Sequence, residues 1–141
     1  YGPWGRPDMA YYLFTDAISK NEPIKVFNNG NMSRDFTYID DIVNGVKILL
    51  ANPPTKINLD IAYRISNIGH GSPEPLGKFI EAIENSFGIK AKKEFLPMQA
   101  GDVSQTWADI HEIKKQGYKS DTSIEEGVSK FVKWFKEYYS I

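Results

Sequence analysis

The stretch of this chain with the most evident chemical potential is GNMSRDFTYIDD, residues 30–41. Residues 34–39 alternate in a way that predicts a short strand, which begins with a guanidinium and is followed by two aspartates. A solvated edge strand that ends in a salt bridge has this composition. An anion site in which Arg34 binds a phosphate has it as well. The local sequence leaves both interpretations open.

Arg6 is a second candidate for binding an anion. It lies in a turn-rich segment with Gly2, Pro3, Gly5 and Pro7, just before a predicted helix, where backbone donors and a guanidinium can converge. A surface arginine without a ligand is the simpler alternative.

Two further positions have chemistry suited to a nucleoside. Asp102 lies in a Gly-Asp turn before Trp107, where its carboxylate either accepts hydrogen bonds from a diol or closes its own turn. Phe27 ends a predicted strand next to a turn, where it either stacks on a base or belongs to the core.

Several kinds of catalytic machinery are absent from the sequence. Gly2 and Gly5 have the first spacing of a Gly-x-x-Gly-x-x-Gly phosphate loop, but Asp8 stands where the third glycine would be. There is no Tyr-x-x-x-Lys pair and no Ser/His/Asp set with plausible placement. No cysteine occurs, and His70 and His111 are too far apart in sequence to suggest a metal pair.

The elements that must position these residues follow from the apolar spacing. The predicted helices span residues 8–20, 42–51, 76–87 and 109–117, with a last one after a capping box at residues 122–125. The predicted strands span residues 24–27, 34–39, 63–68 and 91–96. We expect the first two strands to form a hairpin, Asp40 or Asp41 to cap the second helix, and Gly88 to close the third.

These elements predict an α/β fold in which helices cover a small mixed sheet. The first helix would present Met9, Tyr12, Leu13, Ala17 and Ile18 to the core. The second would present Ile42, Val43, Val46, Leu49 and Leu50.

Length and composition favour one domain, residues 1–141, and the absence of cysteine favours a cytoplasmic protein. The chain has 17 Lys plus Arg against 18 Asp plus Glu, for a net charge of −1. It therefore has no overall field that would attract nucleic acid or anionic lipid. The apolar runs are too short to span a membrane. Tyr1 is not a translational start, so we expect a further segment before it.

Five stretches together resemble the carboxyl-terminal part of an extended short-chain dehydrogenase/reductase of the NAD-dependent epimerase/dehydratase family. They are YGPWGRPDMA, VFNNGNMSRDFTYIDDIVNGV, NIGHGSPEPLGKFIEAIE, LPMQAGDVSQTWADI and IEEGVSKFVKWF. The Trp-Gly-Arg-Pro-Asp-Met-Ala run resembles the UDP-glucuronate 4-epimerase branch, which supplies UDP-galacturonate for capsule and cell-wall polysaccharides.

The resemblance implies a substrate-binding role for five residues. Arg34 would bind the nucleotide diphosphate, Phe27 would stack near the uracil, and Asp102 would hold the ribose hydroxyls. Arg6 would face the sugar carboxylate. Gln99 stands where galactose-type relatives have an arginine that contacts phosphate, which implies weaker neutralisation of the diphosphate here.

The resemblance also implies that a Rossmann half, with the NAD loop and a catalytic Tyr/Lys pair, precedes Tyr1. NAD would be the cofactor, and UDP-glucuronate and UDP-galacturonate would interconvert through a 4-keto sugar. This chain alone would bind no NAD and would be inactive. Two alternatives are another sugar-nucleotide epimerase, 4,6-dehydratase or decarboxylase of the same family, and a non-catalytic nucleotide- or protein-binding module. A homo-oligomer is possible under each of them.

Overall fold

The computed structural model describes residues 1–55 and 62–141. In chain order the elements are α1 (Ala10–Ser19), β1 (Ile24–Val26), β2 (Ser33–Arg34), α2 (Ile39–Ala51), β3 (Glu74–Pro75), α3 (Leu76–Phe87), β4 (Lys93–Phe95), α4 (His111–Lys114) and α5 (Ile124–Tyr139). A 3-10 turn, Phe27–Gly30, follows β1. The α/β class is confirmed.

The core lies where α3 packs against both α5 and α1. The amphipathic α5 buries one apolar face completely, since its side chains recur every three or four residues. The buried residues of α3 and α5 include Phe79, Ile80, Ile83, Val128, Phe131, Val132 and Phe135. The face of α1 differs from the prediction: Phe14 is buried, whereas Leu13 is 53% exposed, because α3 and β1 lie on the side of α1 that carries Phe14 and Ile18.

The strands form two two-stranded sheets instead of one small mixed sheet. β1 pairs with β4 in parallel, with Ile24 opposite Lys93, and β2 pairs with β3 in antiparallel orientation, with Arg34 opposite Glu74. The predicted hairpin between β1 and β2 is therefore wrong, because each of these strands takes its hydrogen bonds from a distant segment. The predicted strand 34–39 is shorter, and only Arg34 of it belongs to β2.

The second helix begins earlier than predicted. Tyr38 is the N-cap residue of α2, and no side chain caps the helix. Asp40 and Asp41 lie in its first turn, where a negative charge favours the helix dipole. Neither aspartate therefore acts as the predicted cap. Asp41 instead accepts hydrogen bonds from Ser120 and Thr122.

The ends of α3 and α5 are set by local chemistry. Gly88 takes a left-handed conformation, φ +70°, directly after α3, as predicted. The cap of α5 is Ser123, which accepts a hydrogen bond from the Glu126 amide at 3.1 Å. The predicted cap, Thr122, bonds to Asp41 instead. The capping-box spacing is thus met one residue later than expected.

Residues 63–68 were predicted to form a strand, and the structure assigns none there. Among the described residues, no backbone hydrogen bond joins this segment to another strand. A strand exists only as a paired ladder, so the alternating pattern alone does not produce one. A second apolar cluster, Ile110, Ile113 and Tyr118, packs nearby against Ile48, Leu49 and Ile68. None of the described helices is long and apolar enough to cross a bilayer.

Candidate functional site

The side chains of Arg34 and Asp102 form an ion pair. The Arg34 Nη2 atom donates to Asp102 Oδ1 at 2.8 Å, and the two side chains are 23% and 33% exposed. Arg34 also donates to the Ser33 carbonyl oxygen through Nη1 at 2.9 Å. The sequence placed a cation and a carboxylate at these positions, and the fold joins them into one partly exposed pair.

This pair retains unused hydrogen-bonding capacity. A guanidinium has five N–H groups, and Arg34 uses two of them, which leaves three without a partner among the described residues. Asp102 Oδ1 accepts from Arg34 and from the Val103 amide, whereas Oδ2 has no partner within the described ranges. One cation and one carboxylate oxygen are thus available, side by side, to a ligand that carries both an anion and hydroxyl groups.

Strand β2 positions both members of the pair. The Ser33 amide donates to the Ser104 carbonyl at 2.9 Å, and the Thr106 amide donates to the Ser33 carbonyl at 3.3 Å. Ser33 therefore forms a parallel bridge with Gln105. Because Arg34 follows Ser33, and Asp102 stands two residues before Ser104, the bridge brings the two charged side chains to the same edge.

Asp35 fixes the loops around this edge, and the sequence analysis missed it. Its carboxylate accepts from the Gly71 amide at 2.9 and 3.1 Å and from the Ala108 amide at 2.9 Å. Its own amide donates to the Thr106 hydroxyl at 3.2 Å. The only feature of the sequence that could have indicated this role of Asp35 is its position directly after Arg34.

Gln99 and Asp102 are the two ends of one turn. The Asp102 amide donates to the Gln99 carbonyl at 3.2 Å, and Gly101 has φ +82°, as the third position of a type II turn requires. The Gln99 side chain is exposed. The turn therefore holds Gln99 close to Asp102 in space as well as in sequence.

Phe27 is half-buried at the start of the 3-10 turn and packs against the main core. Part of the Phe27 ring therefore belongs to the core, which is one of the two roles that the sequence left open. No hydrogen bond or ion pair of the described residues links the backbone of Phe27 directly to Arg34 or Asp102.

The Arg6 side chain forms an ion pair with Asp8, its neighbour two residues along the chain. Its Nη2 and Nε atoms donate to the Asp8 carboxylate at 2.5 and 3.1 Å, and its side chain is 71% exposed. The hydrogen bond from Arg6 lowers the pKa of Asp8. Within residues 1–55 and 62–141 no hydrogen bond or ion pair joins Arg6 to Arg34 or Asp102.

A Ser/His/Asp chain that the sequence did not reveal links three segments. The Ser120 hydroxyl donates to Asp41 Oδ2 at 3.0 Å and lies 2.8 Å from His70 Nδ1. In a nucleophilic triad the imidazole stands between the carboxylate and the hydroxyl. Here the hydroxyl stands in the middle, so Ser120 donates a hydrogen bond to Asp41 and its oxygen is left to accept one from His70 Nδ1. The arrangement is a structural link and supplies no nucleophile.

The described part of the chain holds no group of three or more potential metal ligands.

The sequence matches the model of the NAD dependent epimerase/dehydratase family over residues 1–69. It is 44% identical to Protein CapI of Staphylococcus aureus, with 99% of this chain and 45% of that protein aligned. It is 41% identical to a probable UDP-glucuronate 4-epimerase of Rhizobium meliloti, again with 99% and 45% aligned. The chain spans less than half the length of these curated relatives.

The fold is similar to that of a UDP-glucuronic acid 4-epimerase from Bacillus cereus solved in complex with UDP-glucuronic acid and NAD. The TM-score is 0.85 at 31% sequence identity, and the alignment covers 99% of this chain and 43% of the other. The structural similarity thus covers nearly all of this chain but less than half of the solved protein.

Proposed function

Because the chain belongs to the NAD-dependent epimerase/dehydratase family, we propose that its 141 residues are the substrate-binding portion of a UDP-glucuronate 4-epimerase. The complete enzyme would interconvert UDP-glucuronate and UDP-galacturonate. The similarity to a Rhizobium meliloti relative of that name supports this proposal. So does the similarity to a Bacillus cereus epimerase bound to UDP-glucuronic acid and NAD.

The observation that carries the proposal is the Arg34–Asp102 pair. A nucleoside diphosphate presents an anionic diphosphate next to a ribose diol, and the pair presents a guanidinium next to a carboxylate, 2.8 Å apart. In the proposed complex the unused N–H groups of Arg34 bind the diphosphate. Asp102 Oδ2 accepts a hydrogen bond from a ribose hydroxyl. The Arg34–Asp102 hydrogen bond orients both groups.

The other three residues complete the proposed contacts with the ligand. Phe27 stacks on the uracil with the part of its ring that the core leaves exposed. Gln99, at the other end of the Asp102 turn, donates a neutral hydrogen bond near the diphosphate. Arg6 binds the sugar carboxylate, which requires the guanidinium to exchange Asp8 for the ligand or to bind both. A bidentate Arg–carboxylate pair has the matching geometry.

NAD is the cofactor of the complete enzyme in this proposal, and the described residues do not fit it. The Gly2–Gly5 turn is the nearest approach to a phosphate loop, but the Tyr11 hydroxyl fills the space beside Gly5, and α1 begins five residues after that turn. The binding of NAD is therefore assigned to a part of the enzyme outside these 141 residues.

A chimera tests the proposal. This chain replaces the matched part of the Rhizobium meliloti relative, and the purified protein is incubated with UDP-glucuronate and NAD. We expect UDP-galacturonate to form, as detected by chromatography of the nucleotide sugars. The same chimera with Arg34→Ala is the matched control, and its rate at low substrate concentration should fall at least tenfold.

Two outcomes would contradict the proposal. A folded chimera that converts UDP-glucose faster than UDP-glucuronate would indicate another epimerase of the same family. A folded chimera that binds no sugar nucleotide would favour a non-catalytic module.

A further inference from the structure

Arg6 lies between two tight turns of the backbone. In the first turn the Gly5 amide donates to the Gly2 carbonyl at 3.3 Å, and in the second the Met9 amide donates to the Arg6 carbonyl at 3.3 Å. The second residue of each turn is a proline, whose ring fixes φ at that position. The main chain before and after Arg6 is therefore restrained by a turn.

Trp4 occupies a position in the first turn that normally requires glycine. It is the third of the four residues, and its φ of +61° lies in the left-handed region that a type II turn requires there. Glycine adopts this conformation without steric cost, whereas a residue with a bulky side chain is strained in it. Such a residue persists only where the surrounding structure holds it. The contacts of the indole ring must therefore offset the strain of the backbone.

Two aromatic side chains of α5 hold the indole ring of Trp4. Its centroid lies 5.2 Å from the ring centroid of Trp134 and 5.2 Å from that of Tyr138. Trp134 and Tyr138 stack on each other, and Trp134 also stacks on Phe131, which is fully buried in the core. Ring pairs at these separations attract one another beyond the area that they bury. The aromatic anchor, which consists of Trp4, Trp134 and Tyr138, thus connects the first turn to the core.

Helix α1 restrains the same turn through Tyr11. An added Cβ on Gly5 would collide with the Tyr11 hydroxyl, so the backbone of Gly5 lies directly against this side chain. The Tyr11 ring packs edge-on against Phe131, with the centroids 4.9 Å apart. Arg6 follows Gly5 in the chain. Its main chain is therefore held by contacts with both α1 and α5, although its side chain is 71% exposed.

We infer that Trp4 is a positioning residue for Arg6 and that it acts by fastening the first turn to α5. The inference rests on the proposed function, in which Arg6 binds the carboxylate of the sugar. Ordering a flexible segment at the moment of binding lowers affinity, and fixing it in advance removes that cost. With its backbone fixed by the aromatic anchor, Arg6 has only to rotate its side chain from Asp8 to the ligand.

Trp4→Gly in the chimera with the Rhizobium meliloti relative tests this role. Glycine suits the positive φ and removes the indole ring, so the variant loses the anchor without straining the turn. Trp4 is 75% exposed, so the substitution opens no large cavity in the core. We expect kcat/KM for UDP-glucuronate to fall roughly tenfold. The Kd for UDP, measured by calorimetry, should change by less than about twofold, because UDP lacks the carboxylate.

Two variants of Tyr138 test the anchor from α5. Tyr138→Ala removes the ring that contacts Trp4, and we expect it to lower kcat/KM for UDP-glucuronate about threefold. Tyr138→Phe retains the ring and should leave the rate nearly unchanged. Lys133→Ala is the matched control, since Lys133 is exposed on the same helix next to Trp134. It should keep the rate within about twofold of the unsubstituted chimera.

Combination with Arg6→Met separates positioning from a general structural role. If Trp4 acts through Arg6, adding Trp4→Gly to Arg6→Met should lower kcat/KM by no more than about a further twofold, since the two effects are then not additive. The same roughly tenfold loss in both backgrounds would overturn the inference. An unchanged rate in folded Trp4→Gly would overturn it as well, and so would an equal weakening of UDP and UDP-glucuronate.

The outcomes distinguish this inference from the proposed function. A loss in Arg6→Met together with a normal rate in Trp4→Gly would overturn the inference alone. A normal rate in Arg6→Met would count against the proposed role of Arg6, and with it the inference would also fall. If circular dichroism shows that Trp4→Gly does not fold, Tyr138→Ala in both backgrounds decides. If the chimera binds UDP-glucuronate without turnover, calorimetric titration with UDP-glucuronate gives the same comparison.

Discussion

Arg34 and Asp102 are separated by 68 residues in the sequence and joined by a hydrogen bond of 2.8 Å in the structure. The pair provides a cation and a carboxylate at one edge, and both side chains remain accessible to a ligand. Substitution of each residue in turn separates the roles of the two side chains.

Arg34→Ala should weaken the binding of UDP to the chimeric enzyme by roughly tenfold to a hundredfold. A charge-assisted hydrogen bond to phosphate contributes about 1.5–3 kcal/mol, and the substitution removes it. Calorimetric titration with UDP measures the effect. Arg64→Ala is the control, since Arg64 bonds only to the Asn52 carbonyl among the described residues. If the affinity for UDP is unchanged in Arg34→Ala, Arg34 serves only in a strand-end salt bridge.

Asp102→Ala should weaken the binding of UDP more than the binding of inorganic pyrophosphate, because the carboxylate is expected to contact the ribose and not the diphosphate. Titration of the same variant with both ligands gives the comparison. Equal losses for both ligands would mean that Asp102 acts only by orienting Arg34.

Arg6→Met should lower kcat/KM for UDP-glucuronate in the chimera by roughly tenfold to a thousandfold, about 1.5–4 kcal/mol, and leave the binding of UDP nearly unchanged. The carboxylate of the sugar loses its cation, whereas the nucleotide does not contact this residue. Arg6→Lys should recover only part of the rate. Asp8→Asn, which removes the negative charge that now pairs with Arg6, should not lower the rate. Equal losses with UDP-glucuronate and UDP-glucose would identify Arg6 as a structural residue of the turn.

Glu84 should make the stability of the chain sensitive to acid. Burial by itself raises the pKa of Glu84, but hydrogen bonds from Lys90, Lys93 and the Ala91 amide lower it to about 2. A lowered folded pKa stabilises the native state above the ordinary value of 4.5, and this contribution is lost as the pH falls towards 2.

Glu84→Gln should therefore reduce the free energy of unfolding near neutral pH by about 1–3 kcal/mol. It should also flatten the dependence on pH between 4.5 and 2. Urea unfolding across this range measures both effects. Glu81→Gln, on an exposed position of the same helix, should change neither. A Glu84→Gln variant with an unchanged pH profile would show that the ion pairs of Glu84 make no net contribution to the free energy of unfolding.

The purified 141-residue chain should not convert UDP-glucuronate to UDP-galacturonate, because the sequence has no Tyr-x-x-x-Lys pair and no phosphate loop. Incubation with NAD and UDP-glucuronate, followed by chromatography, tests this expectation. The chimera serves as the positive control. Product formed by the chain alone would refute the assignment of catalysis to a region outside it.

Features that depend on residues close in the chain could be predicted from the sequence alone. The apolar periodicity of α3 and α5 and the left-handed glycine after α3 involve residues within one or two helical turns, so the local pattern is sufficient to specify them. The chemical types of the candidate site residues could also be predicted from the sequence, since a guanidinium and a turn aspartate have the same chemistry in any fold.

Contacts between distant segments were specified by the tertiary fold and could not be predicted from local sequence. β1 pairs with β4 and not with β2, Arg34 meets Asp102 through the Ser33 bridge, and Asp41 bonds to Ser120 instead of capping its helix. Each of these contacts joins segments that are far apart in sequence, and local spacing carries no information on them. Residues 63–68 show the limit most clearly: their alternation predicts a strand, but pairing requires a neighbour, and the described part of this chain supplies none.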